Sequence, residues 1–96
     1  MNKTIYTIRT NQKLHKLFET ARESFFEKND PQTAKRLLTE AIDLYEQNVE
    51  KIDSDLAYEI EGFYKTLLQT LGNIYFDEGN FDEGEKLVHK FYDYKL

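Results

Sequence analysis

The sequence predicts an all-α fold: four antiparallel helices forming two helix–turn–helix units, as a helical repeat or bundle. Three observations lead there. Apolar residues recur at steps of three and four along most of the chain, the spacing of one helix face. Stop-and-start signals fall at 29–31, 53–55 and 79–80, and one Pro with four Gly in 96 residues leaves the stretches between them unbroken. Shifted by 50 positions, the chain matches itself in residue character. Leu17 falls on Leu67, Phe18 on Leu68, Phe25 on Tyr75, Phe26 on Phe76, Asp30 on Asn80, Ala34 on Gly84, Leu37 on Leu87 and Leu38 on Val88. Apolar content is 40%, with seven Phe and seven Tyr, which suffices for one core in a single domain spanning 1–96.

Residues 1–10 read as a flexible or extended N-terminal arm: Ile5, Tyr6 and Ile8 fit a short extended segment or an irregular lead-in tucked onto the bundle. The first helix is expected from about 11 to 28, with Leu14, Leu17, Phe18, Ala21 and Phe25 on one face. Asn29-Asp30-Pro31 ends it and starts the next, because Asp30 suits the N-cap and Pro31 the first helical position. The second helix should run from 31 to about 52 on Ala34, Leu37, Leu38, Ala41, Tyr45, Val49 and Ile52. Asp53-Ser54-Asp55 supplies caps for a third helix over about 55–78, with Leu56, Ile60, Phe63, Tyr64, Leu67, Leu71, Ile74 and Tyr75 inward. Gly79 suits a left-handed stop, and Asn80 with Glu83 resembles a capping box. The fourth helix, 81 to about 93, should bury Leu87, Val88 and Phe91.

Charge narrows the function classes. The chain carries 13 basic and 18 acidic residues, a net charge of −5, which disfavours nucleic acid as a partner because phosphate binding needs a basic footprint. Lys3, Arg9, Lys13 and Lys16 make the first 16 residues basic, whereas Glu40, Asp43, Glu46, Glu50, Asp53, Asp55, Glu59 and Glu61 make the middle acidic. If the first two helices are antiparallel, these two charged regions meet. The absence of Cys excludes a disulfide framework and thiolate metal sites. No apolar leader or long apolar run is present, so the expectation is a cytoplasmic protein with no membrane partner.

The stretch Leu68, Leu71-Gly72, Tyr75, Gly79, Phe81, Gly84 and Val88 resembles the tetratricopeptide repeat: a large residue, Leu-Gly, an aromatic, a Gly turn and a small residue in the second helix. The likeness covers residues 64–94 best and 14–46 more weakly, where Ala34, Leu38 and Ala41 fit but Arg22 stands in place of the Gly. The chain departs from the family in spacing, 50 residues against the usual ~34. The surplus falls at the middle hairpin and lengthens each of its helices by about eight residues, or ~12 Å. That hairpin should project beyond ordinary repeat length. The resemblance implies a partner-binding groove carrying Lys16, Glu19, Glu23, Phe26, Thr66, Gln69, Asn73 and Phe76. Phe26 and Phe76 serve either groove contact or packing between helices. Glu19 and Glu23 would repel the acidic C-terminal peptides that some members of the family grip.

No phosphate loop, metalloprotease pair or nucleophile elbow appears, so an enzyme and a cofactor are not expected. His89 has Glu85 and Asp93 one turn away on either side, a spacing that fits three metal ligands or simply a solvated face. The expected function is a non-catalytic protein-interaction module, a small helical-repeat adaptor or regulator binding a peptide or helix. The alternative is a small bacterial or phage four-helix immunity or inhibitor protein that masks a single target. Phe91, Tyr92, Tyr94 and Leu96 on the last helix form a further candidate face for self-association or a partner. Two-fold pairing there would make a homodimer with four stacked repeats. In the other reading, the tail folds back with its tyrosine hydroxyls in water.

Overall fold

The computed structural model describes residues 2–93. Its elements are α1 (Lys3–Phe26), α2 (Pro31–Asn48), a 3₁₀ turn (Val49–Lys51), α3 (Ser54–Asp77) and α4 (Phe81–Asp93), and the described residues contain no strand. The helices pack as a bundle in chain order. α1 lies along α2, α2 along α3 and α3 along α4, with a light contact between α1 and α3.

The helix boundaries follow local chemistry. Asp30 caps α2, its side chain accepting from the Thr33 N–H at 3.1 Å, with Pro31 in the first turn. Asp53 caps α3 by accepting from the Asp55 N–H at 2.9 Å. The first and last turns each hold a residue at positive φ, Asn29 at 51° and Gly79 at 79°, which are equivalent under the 50-residue shift. Asn and Gly are the residues that tolerate this left-handed conformation, which lets a helix end sharply.

The core is supplied by Leu14 and Ala21 of α1, by Ala34, Leu38, Ala41, Ile42 and Tyr45 of α2, and by Ile60, Tyr64, Leu67, Leu68, Leu71 and Ile74 of α3, with Ile52 between them. Tyr45 and Tyr64 stack at 4.3 Å between ring centres, and the Tyr64 hydroxyl donates to the Glu46 carboxylate, which also receives Lys90 Nζ at 2.9 Å. Both ring bodies are thus removed from water while a charged group satisfies the polar end of Tyr64.

The fold departs from the sequence expectation at three places. The N-terminal arm does not exist as such: α1 begins at Lys3, not near 11. Thr7 is fully buried, and Thr10 nearly so. Thr7 accepts from the Asp53 N–H at 2.8 Å, Thr4 donates to the Asp53 carboxylate at 2.5 Å, and the Tyr6 hydroxyl donates to the Asn48 side chain. The early part of α1 therefore runs alongside the middle hairpin as far as its turn, so the hairpin does not project on its own as expected. Second, α2 stops at Asn48, and the 3₁₀ turn leaves Val49 at the surface while returning Ile52 to the core. Third, α4 is less buried than its pattern predicts. Leu87 and Phe91 are half-buried, Val88 is exposed, and Gly84 is its one buried residue.

Candidate functional site

Of the grooves that open where helices meet, two gather the anticipated aromatic residues. The first lies between α1 and α3. Its cavity, about 220 Å³, is lined by Arg22, Phe25, Phe26, Thr70, Asn73 and Asp77, with Ala21, Leu38 and Ile74 at its apolar floor. Phe26 stands at the rim, 73% exposed, held edge-on to Phe25 at 5.0 Å. Further along the same seam His15 stacks on Phe63 at 3.8 Å, and Phe18 meets Phe63 edge-on. Arg22 lies 5.8 Å from the centre of the Phe18 ring, and none of the ion pairs among the described residues includes it.

The second groove lies between α3 and α4. It encloses about 240 Å³ and is lined by Leu68, Gln69, Gly72, Asn73, Phe76, Leu87, Val88, Phe91 and Tyr92. The two helices approach closely because small residues face each other. A Cβ on Gly72 would lie 3.6 Å from the Leu87 Cβ and 3.8 Å from the Gly84 carbonyl. Gly84 admits no side chain as the site stands, since a Cβ would come within 2.8 Å of the Phe76 ring. Asn73 borders both grooves.

The structure redistributes the residues anticipated for a single groove. Phe26 and Asn73 come together in the α1–α3 cavity, while Gln69, Asn73 and Phe76 join Phe91 and Tyr92 in the α3–α4 groove. Lys16 lies elsewhere, in a cavity of about 450 Å³ lined by α1 and α2 residues alone: Lys13, Lys16, Leu17, Thr20, Leu37, Glu40 and Leu44. Glu19, Glu23 and Thr66 are exposed and line none of these cavities. Glu23 pairs loosely with Lys28 at 3.7 Å, and the Thr66 hydroxyl donates to the Gly62 carbonyl. The wall charges are Arg22 and Asp77, one of each sign, so the repulsion expected from Glu19 and Glu23 does not apply to this cavity.

Sequence reasoning missed Arg22, Thr70 and Asp77. Phe26 and Asn73 of the anticipated face do reach this cavity, and the three missed residues lie on the adjoining edge of each helix, which a single-face reading leaves out. The His15–Phe63 stack lies on the α1–α3 seam, and no pattern in the sequence marked it.

On the last helix Phe91 is half-buried under Lys65, whose Nζ lies 5.7 Å from the ring centre, and Tyr92 is 75% exposed. Tyr94 and Leu96 fall outside the described residues. Glu85, His89 and Asp93 are all exposed, and among the described residues no three His, Cys, Asp or Glu side chains are placed to hold a metal ion. No described helix is long and apolar enough to cross a membrane. No family model, curated protein or solved structure matches the chain, whose described residues form a four-helix all-α bundle.

Proposed function

We propose that this chain is a non-catalytic protein-interaction module built from two tetratricopeptide-like helix pairs, and that it binds a peptide or helix along the α1–α3 seam. The observation that carries the reading is Phe26, a large apolar side chain 73% exposed at the mouth of a cavity lined by Arg22, Thr70, Asn73 and Asp77. Apolar floor, aromatic rim and a few polar groups of both signs suit an anchor side chain flanked by hydrogen-bonding backbone. The repeat reading is supported by the equivalent left-handed turn residues Asn29 and Gly79, by the equivalent small residues Ala34 and Gly84, both buried, and by the in-order contacts of the helices.

Selection of a random peptide library on the wild-type protein tests this. Peptides recovered should bind at least tenfold more weakly, about 1.4 kcal/mol, to Phe26→Asp and Asn73→Asp variants. Peptides indifferent to both substitutions would show that the seam is not the binding face.

Self-association through the last helix is a second component of the reading. It is favoured by the exposure of Val88 and Tyr92 beside the α3–α4 groove.

A further inference from the structure

The α3–α4 groove has a counterpart inside the molecule. Under the 50-residue shift, α3 and α4 correspond to α1 and α2, whose equivalent surface is covered by α3 itself. The covered positions Leu38 and Ile42 are 0% and 3% exposed, while their equivalents Val88 and Tyr92 are 38% and 75% exposed. The covering helix is fixed by an ion pair at its C-terminal end: Lys35 Nζ of α2 meets the Glu78 carboxylate at 2.6 Å, with both side chains largely shielded. Lys35 corresponds to Glu85, and Glu78 corresponds to Lys28. Both charges of the pair are inverted together.

We infer that a second copy of this chain docks head to tail, its α1 seated on the α3–α4 groove as α3 is seated on α1–α2, with Lys28 of the second copy paired to Glu85. This rests on the self-association reading and specifies which face of the second copy is used. In a single copy the two groups are idle. Glu85 is exposed and in none of the ion pairs of the described residues, and Lys28 has only its loose exposed contact with Glu23. The incoming face is also formed. Leu17 and Leu44 are half-buried, and with Leu37, Lys13 and Thr20 they line the cavity on the α1–α2 pair. Leu17 corresponds to Leu67, which is fully buried where α3 covers α1–α2. One contact opposes the joint. Lys13 and Lys65 occupy the places of Phe63 and His15, and Glu61, paired with Lys65 at 3.6 Å, offsets their repulsion. The joint is accordingly weak, and because its two surfaces differ it leaves each assembly with two open ends.

Sedimentation equilibrium from micromolar to millimolar protein tests the proposal. Wild-type mass should rise with concentration past the dimer. Lys28→Glu and Glu85→Lys should each weaken association about tenfold, and the double variant should recover it. An equimolar mixture of the two single variants should associate more tightly than either does alone, because both of its mixed joints pair opposite charges. Circular dichroism checks that these surface changes leave the fold intact. A closed dimer unaffected by Lys28→Glu overturns head-to-tail docking and leaves two-fold pairing through α4. A wild-type monomer at millimolar concentration overturns both, and neither result bears on peptide binding at Phe26.

Discussion

Two glycines illustrate how differently one residue type is used. Gly62 lies inside α3 with nothing within 4 Å of a would-be Cβ. Gly62→Ala should stabilise the protein by about 0.5–1 kcal/mol, because the helix loses its glycine entropy cost at no steric expense. Gly84→Ala gains the same propensity but drives a methyl into the Phe76 ring at 2.8 Å. Overpacking costs about 1–3 kcal/mol, so the net change should be destabilising by about 1 kcal/mol, with Phe76 displaced toward the groove. Thermal melts of the two variants should move in opposite directions; a stabilised Gly84→Ala would mean the ring swings aside freely. Asp53 is a different case. The Thr4 hydroxyl and then the Asp55 N–H hold its carboxyl below the ordinary carboxylate value, with Lys3 adding to the effect. A lowered carboxyl contributes stability that is complete above the unfolded-state value of about 4 and is lost as pH falls through the folded value. Asp53→Ala should therefore melt below wild type at about pH 6, and the gap should narrow by about pH 2. A gap independent of pH would assign the effect to something other than the ionised carboxylate.

At the scale of the element, the first two turns of α1 show where sequence reading ran out. Helices 2 and 3 were legible because their apolar stripes are long and bounded by caps. Residues 3–10 carry Thr4, Ile5, Thr7, Ile8 and Thr10, β-branched residues that favour extended backbone. Asn2 caps the start locally, and tertiary contacts hold the turn in place: the Thr7 hydroxyl accepts the Asp53 N–H and the Thr4 hydroxyl donates to the Asp53 carboxylate. Pattern reading treats Thr as a polar surface residue and has no means of seeing a partner 46 residues away. The same blindness displaced the candidate site, since Arg22 and Asp77 join one cavity only through the rotational setting of α1 against α3. Charge was also over-read. None of the ion pairs among the described residues joins Arg9, Lys13 or Lys16 to the acidic end of α2, and hydroxyls do the tethering instead. Thr7→Val keeps the shape of the side chain but orphans the Asp53 N–H, and should cost about 1–3 kcal/mol. Added salt should change the hydrogen exchange of α1's first turns little, since hydrogen bonds donated at contact distance by uncharged hydroxyls and backbone N–H groups depend less on charge attraction than exposed ion pairs do. A strong salt response would restore the charge account.

At the scale of the whole molecule, stability is unevenly distributed. α2 and α3 have neighbours on both sides, whereas α4 has backbone neighbours in α3 alone and reaches α2 through long side chains such as Lys90 on Glu46. Gly84 is its one buried residue, and Leu87 and Phe91 are half-buried. A helix attached along one edge detaches at a lower free energy than the body to which it is fastened. Native-state exchange should therefore report α4 amides opening well before those of α2 and α3, and limited proteolysis should cut first within 81–93. Equal protection of all four helices would contradict this. Such an opening would turn α4 about Gly79, the left-handed residue that joins it to α3. It would leave the α1–α2–α3 core closed and bare Leu68, Gly72 and Phe76 of α3, so a helix bound across the α3–α4 cleft should slow the exchange of α4 amides.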